Sequence, residues 1–384
     1  MVSFNIPEID DRLKLHALWA LALGLAVIAA PQIWTLLNFQ PLGIDFLPLW
    51  TAGRMAWAHP DRVYDFAAVS HAQSWLLPNL KWPRPYIYPP TTLLLLAPFG
   101  CLPFWPALAA WVALGLGVFL YAGARLARHN RALVLVLMVL SPAAVLADLV
   151  GQSVLLVAGL TVLAVIELEH RPRLAGVLFA LAAAIKPQAV LLAPIGLLAG
   201  GAFEALVSAA VVEALLVALS LICFGSARWI EWLGSFQAFQ GVIDSAPGLV
   251  LGVITPTGAA HLLGLTGLAA NLWRAAFGLL GVVLVWRAFR QPGRTPARML
   301  ALAAGSLLAA PYAMHYDGAL LVPAVVIMAV DGIEESGWML RMLALCAVCE
   351  VTTVGFGLLA ILACAGLSSL RTPAPRMATA PLAA

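Results

Sequence analysis

Apolar runs of about 15 to 25 residues recur along almost the whole of this chain, and they leave it little choice of fold. About 20 residues of helix, at ~1.5 Å each, span the ~30 Å hydrocarbon core of a bilayer. Lipid offers no partner to backbone N–H and C=O groups, so a run of that length must close its own hydrogen bonds as a helix. Composition excludes a soluble domain: 63% of the 384 residues are hydrophobic and 10% are charged, against roughly half and about a quarter in soluble proteins. The expected class is an all-α polytopic membrane protein. Its net charge of +3 is scattered over short loops with no basic stripe, so no nucleic-acid partner is expected.

Spans are predicted over 15–37, 104–127, 132–147, 153–168, 174–185, 188–201, 205–224, 270–289, 299–313 and 318–330, with one or two more within 338–367. That is about 10 to 12 helices in one transmembrane domain over 1–367, followed by a disordered Pro- and Ala-rich tail over 368–384. The first run follows Asp10, Asp11, Arg12 and Lys14, exceeds a signal-peptide core and lacks a small-x-small cleavage site, so it is expected to stay as an anchor. Arginines cluster in three loops: Arg125, Arg128 and Arg131; Arg171 and Arg173; Arg287, Arg290, Arg294 and Arg298. Basic loops face the cytoplasm, which sets the orientation of a multi-pass protein of the cell membrane.

The same rule bears on Ala184-Ile185-Lys186-Pro187-Gln188. One continuous helix through this segment would carry the four-arginine loop to the outside, so parity calls for two short spans joined by an outward turn. Proline, which lacks a backbone donor and disfavours helix in the residue before it, suits that turn. Two extramembrane segments, 38–100 and 225–269, then lie outside, and their mixture of aromatics and charges suits helices in the interface. The run Thr91 to Gly100 is too short to cross and is expected to be re-entrant or interfacial. Cys101, Cys223, Cys346, Cys349 and Cys364 all stand in apolar stretches, where buried packing is the expected role.

With this topology the ionisable residues sort by side. Asp45 is the first carboxylate after the first span, and an acid held at the edge of hydrocarbon is costly unless it serves a function. Arg84, Lys81, Tyr88, Asp148, Gln152, Lys186, His315, Tyr316 and Asp317 fall on the same outer edge, several of them at the tips of otherwise apolar hairpins. Turns carry polar residues simply because they meet water. An acid, a histidine and a lysine converging on one mouth is a stronger pattern. No Gly-rich phosphate loop, Ser/His/Asp spacing or metal-ligand cluster accompanies them, so neither a metal nor another cofactor is expected. An outward cavity beside lipid suits a sugar carried on a polyprenyl phosphate, since nucleotide sugars are cytoplasmic.

An ordered set of short motifs over about residues 40 to 325 resembles glycosyltransferase family 87. These are Gly43-Ile44-Asp45-Phe46 after the first helix, Tyr86-Ile87-Tyr88-Pro89-Pro90 before an apolar run, Gly151-Gln152, Leu174-Ala175-Gly176 followed by Ala184-Ile185-Lys186-Pro187, and His315-Tyr316. The chain departs from the family pattern in carrying Ser153-Val154-Leu155 after Gln152 where the family has Asn nearby, which bears on the sugar or acceptor rather than on the reaction. The resemblance implies a GT-C-like helical bundle with interfacial helices on its outer face. It also implies a hexosyltransferase, mannosyl by preference, moving sugar from a polyprenyl-phosphate donor to a lipid or glycan acceptor. Asp45 becomes the catalytic base, with His315 also in the site.

A lipid phosphate leaves as a stable anion, so such a transfer needs one base for the acceptor hydroxyl and cations for the developing phosphate charge. Lys186, Arg84 and Lys81 are the candidate cations, and Tyr88, Asp148, Gln152, Tyr316 and Asp317 the candidate lining. Tyr86 and Tyr88 also fit an interfacial aromatic belt. A transporter or lipid flippase is the rival reading, although internal repeats and paired midplane charges, its usual marks, are absent from the sequence.

Overall fold

The computed structural model describes residues 10–39, 41–76, 84–245, 250, 252–291, 295–334, 337–349 and 357–369. The described residues are all-α, with one isolated β-bridge between Val253 and Met314. The predicted spans appear as helices Asp11–Phe39, Phe104–Leu126, Val154–Glu167, Pro172–Ile185, Phe203–Phe224, Gly267–Phe289, Thr295–Ala309, Val322–Val330, Trp338–Cys349 and Gly357–Ser369. Among them Phe104–Leu126, Phe203–Phe224 and Gly267–Phe289 are long and apolar enough to cross a membrane on their own.

Two boundaries differ from the sequence reading, and so does the burial of three cysteines. The expected span 132–147 is two helices, Arg131–Leu140 and Pro142–Val150, bent by 58°. Pro142 brings no N–H to continue the first helix, and Ser141 before it takes extended backbone, so the axis must break there. The expected tail loses its first two residues, because Ser368 and Ser369 still belong to a helix; 370–384 lie outside the described residues. Buried packing holds for Cys349 and Cys364, whereas Cys101, Cys223 and Cys346 are exposed on the bundle surface.

Segment 38–100 carries helices Phe46–Ala58, Phe66–Leu76 and Pro90–Gly100. The first and last of these cross at backbone contact: a Cβ on Gly53 would run into the Leu96 carbonyl, and one on Gly100 into the backbone of Gly53. Trp50 and Trp57 donate their indole N–H to Leu102 O (3.0 Å) and Ala97 O (2.7 Å) across the same crossing. Segment 225–269 carries Ala227–Ser245 and Pro256–Leu262, and Trp232 ties the former to segment 38–100 by donating to Ile87 O at 3.1 Å.

The bundle has two chemically distinct ends. At one, Arg125 pairs with Glu167 (2.9 Å), Arg298 with Glu169 (2.8 Å) and Arg173 with Glu204 (3.2 Å), while the Asp331 carboxylate accepts from the backbone N–H groups of Arg128 and His129. Lys14 donates to Ile333 O at 2.7 Å at this end too. At the other, Gly43 and Asp45 donate backbone N–H to Leu149 O and Val150 O (both 2.9 Å), Thr91 and Thr92 donate to Ala184 O (2.8 and 2.9 Å), and His315 N donates to Gly252 O (2.9 Å). The arginine-bearing loops and the polar hairpin tips are thus separated by the height of the bundle.

Helices Pro172–Ile185 and Phe203–Phe224 start at the same end. Arg173 meets Glu204, Ser208 donates to Arg173 O at 2.8 Å, and Gly176 lies against the Ala205 carbonyl. Two parallel helices in succession require the chain between them to travel back. It does so as a 3-10 turn Pro187–Val190 and the helix Ala193–Ala199, reaching Phe289 at Gly200. Lys186 has non-helical backbone (φ −143°, ψ 77°) directly before Pro187. If basic loops lie inside, this turn lies outside. Gln188→Cys, in a background without the native cysteines, is expected to react with a membrane-impermeant thiol reagent applied to intact cells. Reaction only after permeabilisation reverses the orientation.

Candidate active site

Asp45 is placed by two tight backbone passages. Gly43 (φ +73°) and Gly151 (φ +74°) both adopt the left-handed region that glycine enters without strain. A Cβ at Gly151 would stand 2.6 Å from Phe46 Cβ and 2.9 Å from Leu108, so the two loops approach only because that side chain is missing. Trp111, whose ring lies 5.6 Å from that of Phe46, donates to Gly151 O at 3.1 Å from beneath. Asp45 then sits at the N-terminus of Phe46–Ala58, where its carboxylate makes no capping hydrogen bond to the helix. Gln152 Nε2 donates to Oδ2 at 3.0 Å, and Arg84 Nε lies 3.7 Å from Oδ1. The Asp45 side chain keeps 18% exposure, enough to be reached.

Arg84 is carried on an extended segment that Gln73 brackets, its amide donating to Arg84 O (2.7 Å) and accepting from Arg84 N (2.8 Å). A few residues on, Tyr88 donates to Gln152 Oε1 at 3.0 Å and approaches Ser153 Oγ at 3.3 Å. Tyr86 is 2% exposed, stacked on Tyr88 at 5.9 Å and packed against Tyr64. The belt reading fails for Tyr86, which is core supporting Tyr88.

Opposite lies an ion pair between Lys186 and Asp317, with side chains 6% and 2% exposed. The other oxygen of Asp317 accepts from Met314 N at 2.9 Å, and Lys186 Nζ stands 5.2 Å over the Tyr316 ring. Burial opposes the Lys186 charge, but the facing Asp317 carboxylate outweighs it and holds the ammonium above its ordinary range. His315 packs on Tyr316 at 5.6 Å and brings Nδ1 to 3.3 Å from Gly252 O. A carbonyl only accepts, so this contact puts the ring hydrogen on Nδ1 and leaves Nε2 as an acceptor. Burial pushes the imidazole below the usual histidine range, against the Gly252 carbonyl and the charges of Asp317 and Asp45.

Tyr88, Lys186, His315 and Tyr316 each feel the charges of both Asp45 and Asp317, so the two halves form one site. Of the residues singled out in the sequence, Asp45, Arg84, Tyr88, Gln152, Lys186, His315, Tyr316 and Asp317 converge. Asp148 does not join them: it is half-buried on Pro142–Val150 with no hydrogen bond or ion pair to the others among the described residues. Lys81 lies outside the described residues. The cations differ from expectation in one respect, because each already faces a carboxylate, Arg84 that of Asp45 and Lys186 that of Asp317. Several supports carried no signal in the sequence. Gln73, Ser153 and Gly252 act through contacts with residues 11 to 65 positions away, which no local pattern marks. Thr91 and Thr92, which hold the carbonyl two residues before Lys186, looked like part of an apolar run.

The family model of glycosyltransferase family 87 matches residues 86–311, more than half of the chain. The matched stretch includes Tyr88, Gln152 and Lys186, while Asp45, Arg84 and His315 to Asp317 flank it. No curated protein and no solved structure matches the chain.

Proposed function

This chain belongs to glycosyltransferase family 87, and from that premise we propose that it moves a hexose, mannose foremost, from a polyprenyl-phosphate sugar to a lipid or glycan acceptor. The reaction is assigned to the extracytoplasmic face of the cell membrane, in a GT-C-like bundle of about 10 to 12 spans. The observation that carries this reading is an accessible carboxylate, Asp45, in a largely buried cluster at the end of the bundle opposite the arginine-bearing loops.

Asp45 accepts the proton of the acceptor hydroxyl as that oxygen bonds to the anomeric carbon. The bond from that carbon to the phosphate oxygen breaks on the opposite face, and polyprenyl phosphate departs with the electron pair, which inverts the configuration. No acid is required, because the leaving phosphate is already a stable anion. Lys186 and Arg84 supply positive charge to it, as charge-assisted donors do in poorly hydrated sites. Each must loosen from its carboxylate to do so. His315, with Nδ1 turned to the Gly252 carbonyl, keeps Nε2 as an acceptor for a sugar hydroxyl.

The test is direct. Purified protein in liposomes, offered polyprenyl-phosphate mannose, glucose and arabinose with cell-envelope lipids, is expected to consume one donor and release polyprenyl phosphate. Consumption of none, together with passage of a labelled lipid-linked sugar across the bilayer, selects the transporter reading.

A further inference from the structure

We propose that Tyr88 and Gln152 are positioning residues that determine which oxygen of Asp45 remains free to take the proton. This rests on Asp45 being the base of the transfer proposed above. The sequence reading had both residues lining the substrate, but the structure bonds them to each other and to Asp45.

The arrangement is a chain. Tyr88 donates to Gln152 Oε1 at 3.0 Å, and Gln152 Nε2 donates to Asp45 Oδ2 at 3.0 Å. A glutamine amide has two unlike ends of nearly the same shape, and on steric grounds either could face the carboxylate. With Oε1 turned to Asp45 the contact is repulsive; with Nε2 turned to it, it is a charge-assisted bond. The ionised Asp45 carboxylate, which only accepts, takes the Nε2 end, and the Tyr88 hydroxyl holds the amide there by donating to the Oε1 end that then faces it. Burial holds that phenol above its ordinary range, so it remains a donor.

Both ends of the chain are anchored. Tyr88 is fixed by its ring on Tyr86 and by its own carbonyl, which accepts from Tyr64 Oη at 2.7 Å. Gln152 N donates to Ala147 O at 2.8 Å, and Asp45 N to Val150 O at 2.9 Å, so the amide and the carboxylate hang from one turn. A carboxylate held through Oδ2 by a fixed donor loses rotation about its last bond. Oδ1, which has Arg84 Nε at 3.7 Å and no hydrogen bond among the described residues, is then the oxygen presented to an acceptor hydroxyl.

Two measurements test this, one of which needs no turnover. In steady-state transfer, Tyr88→Phe is expected to lower kcat ~10- to 100-fold with donor and acceptor KM unchanged, since a misoriented reacting group costs up to about that much. Gln152→Glu sets a second carboxylate against Asp45, so one of the pair stays protonated to higher pH and the acid limb of the kcat/KM profile moves upward. A raised KM with unchanged kcat and an unmoved profile returns both residues to substrate contact and overturns the proposal. In thermal unfolding, Tyr88→Phe and Asp45→Ala do not touch each other, yet the chain predicts that their Tm shifts are non-additive. Additive shifts overturn the proposal whatever the protein transfers. Non-additive shifts in a protein that consumes no lipid-linked sugar leave the chain standing and remove the transferase reading alone.

Discussion

Asp45→Asn is expected to reduce sugar transfer by about 10²- to 10⁴-fold, the usual range for loss of a general base, while the protein inserts and accumulates as before. The geometry explains why folding should survive. Asparagine keeps one oxygen, which the Gln152 amide can still engage, and the backbone bond from residue 45 to Val150 O does not involve the side chain. What is lost is the second oxygen, the one beside Arg84, replaced by an amide that cannot accept a proton. Rates are to be compared with the amount of membrane-inserted protein and with donor binding, both expected near wild type. Near-normal transfer by this variant reassigns the base, first to His315, whose Nδ1 contact with Gly252 O leaves Nε2 as an acceptor, and then to Asp317.

The second large effect concerns the pair Lys186 and Asp317. Taken from the sequence alone, Lys186→Gln should weaken donor use in a protein of unchanged stability. The structure alters that expectation. With side chains 6% and 2% exposed, the two charges stabilise each other in surroundings that would penalise either alone. Removing one partner of a buried pair typically costs about 3 to 5 kcal/mol, because the other is left charged and unpaired. Lys186→Met or Asp317→Leu alone should therefore lower the unfolding temperature markedly, whereas Lys186→Met combined with Asp317→Leu should recover most of the loss. Transfer should stay low in all three, since the cation that would meet the phosphate is absent from the first and third and detached from its support in the second. Full activity in the double variant would remove Lys186 from the mechanism, and full stability of Lys186→Met would mean the pair contributes nothing to folding.

Much of the architecture was legible because a bilayer imposes few and simple rules. Helix lengths follow from its thickness, and the arginines at 125–131, 171–173 and 287–298 were separable from the polar tips by parity alone. The return of the chain after Lys186 was readable from Pro187 and from that count of arginines. The bend at Ser141 could have been read from Pro142 but was hidden by the unbroken apolar run on both sides of it. Within the cluster, Asp45 and His315 were singled out by position and resemblance, whereas the contacts by which their neighbours hold one another could not be read. Asp148 looked equivalent to Asp45 as a tip carboxylate, and only its place on the helix shows that it stands apart from the cluster.

The sequence by itself determined the all-α class of the protein, most of its helical segments, the segregation of charge between its ends and the residue types gathered at one of them, because these follow from hydropathy and charge counted along the chain. Which groups touch was decided by the tertiary structure. Lys186 meets Asp317 across 131 positions, Gln152 meets Asp45 across 107, and Tyr88 meets Gln152 across 64. Separations of that size are closed by helix packing and by glycines such as Gly43 and Gly151 that let loops approach, and neither the angle of a helix nor the direction of a side chain is encoded in periodicity. A cation that reads as free in the sequence is therefore a paired one in the fold, since burial at these depths leaves a charge no cheaper arrangement than an opposite charge beside it.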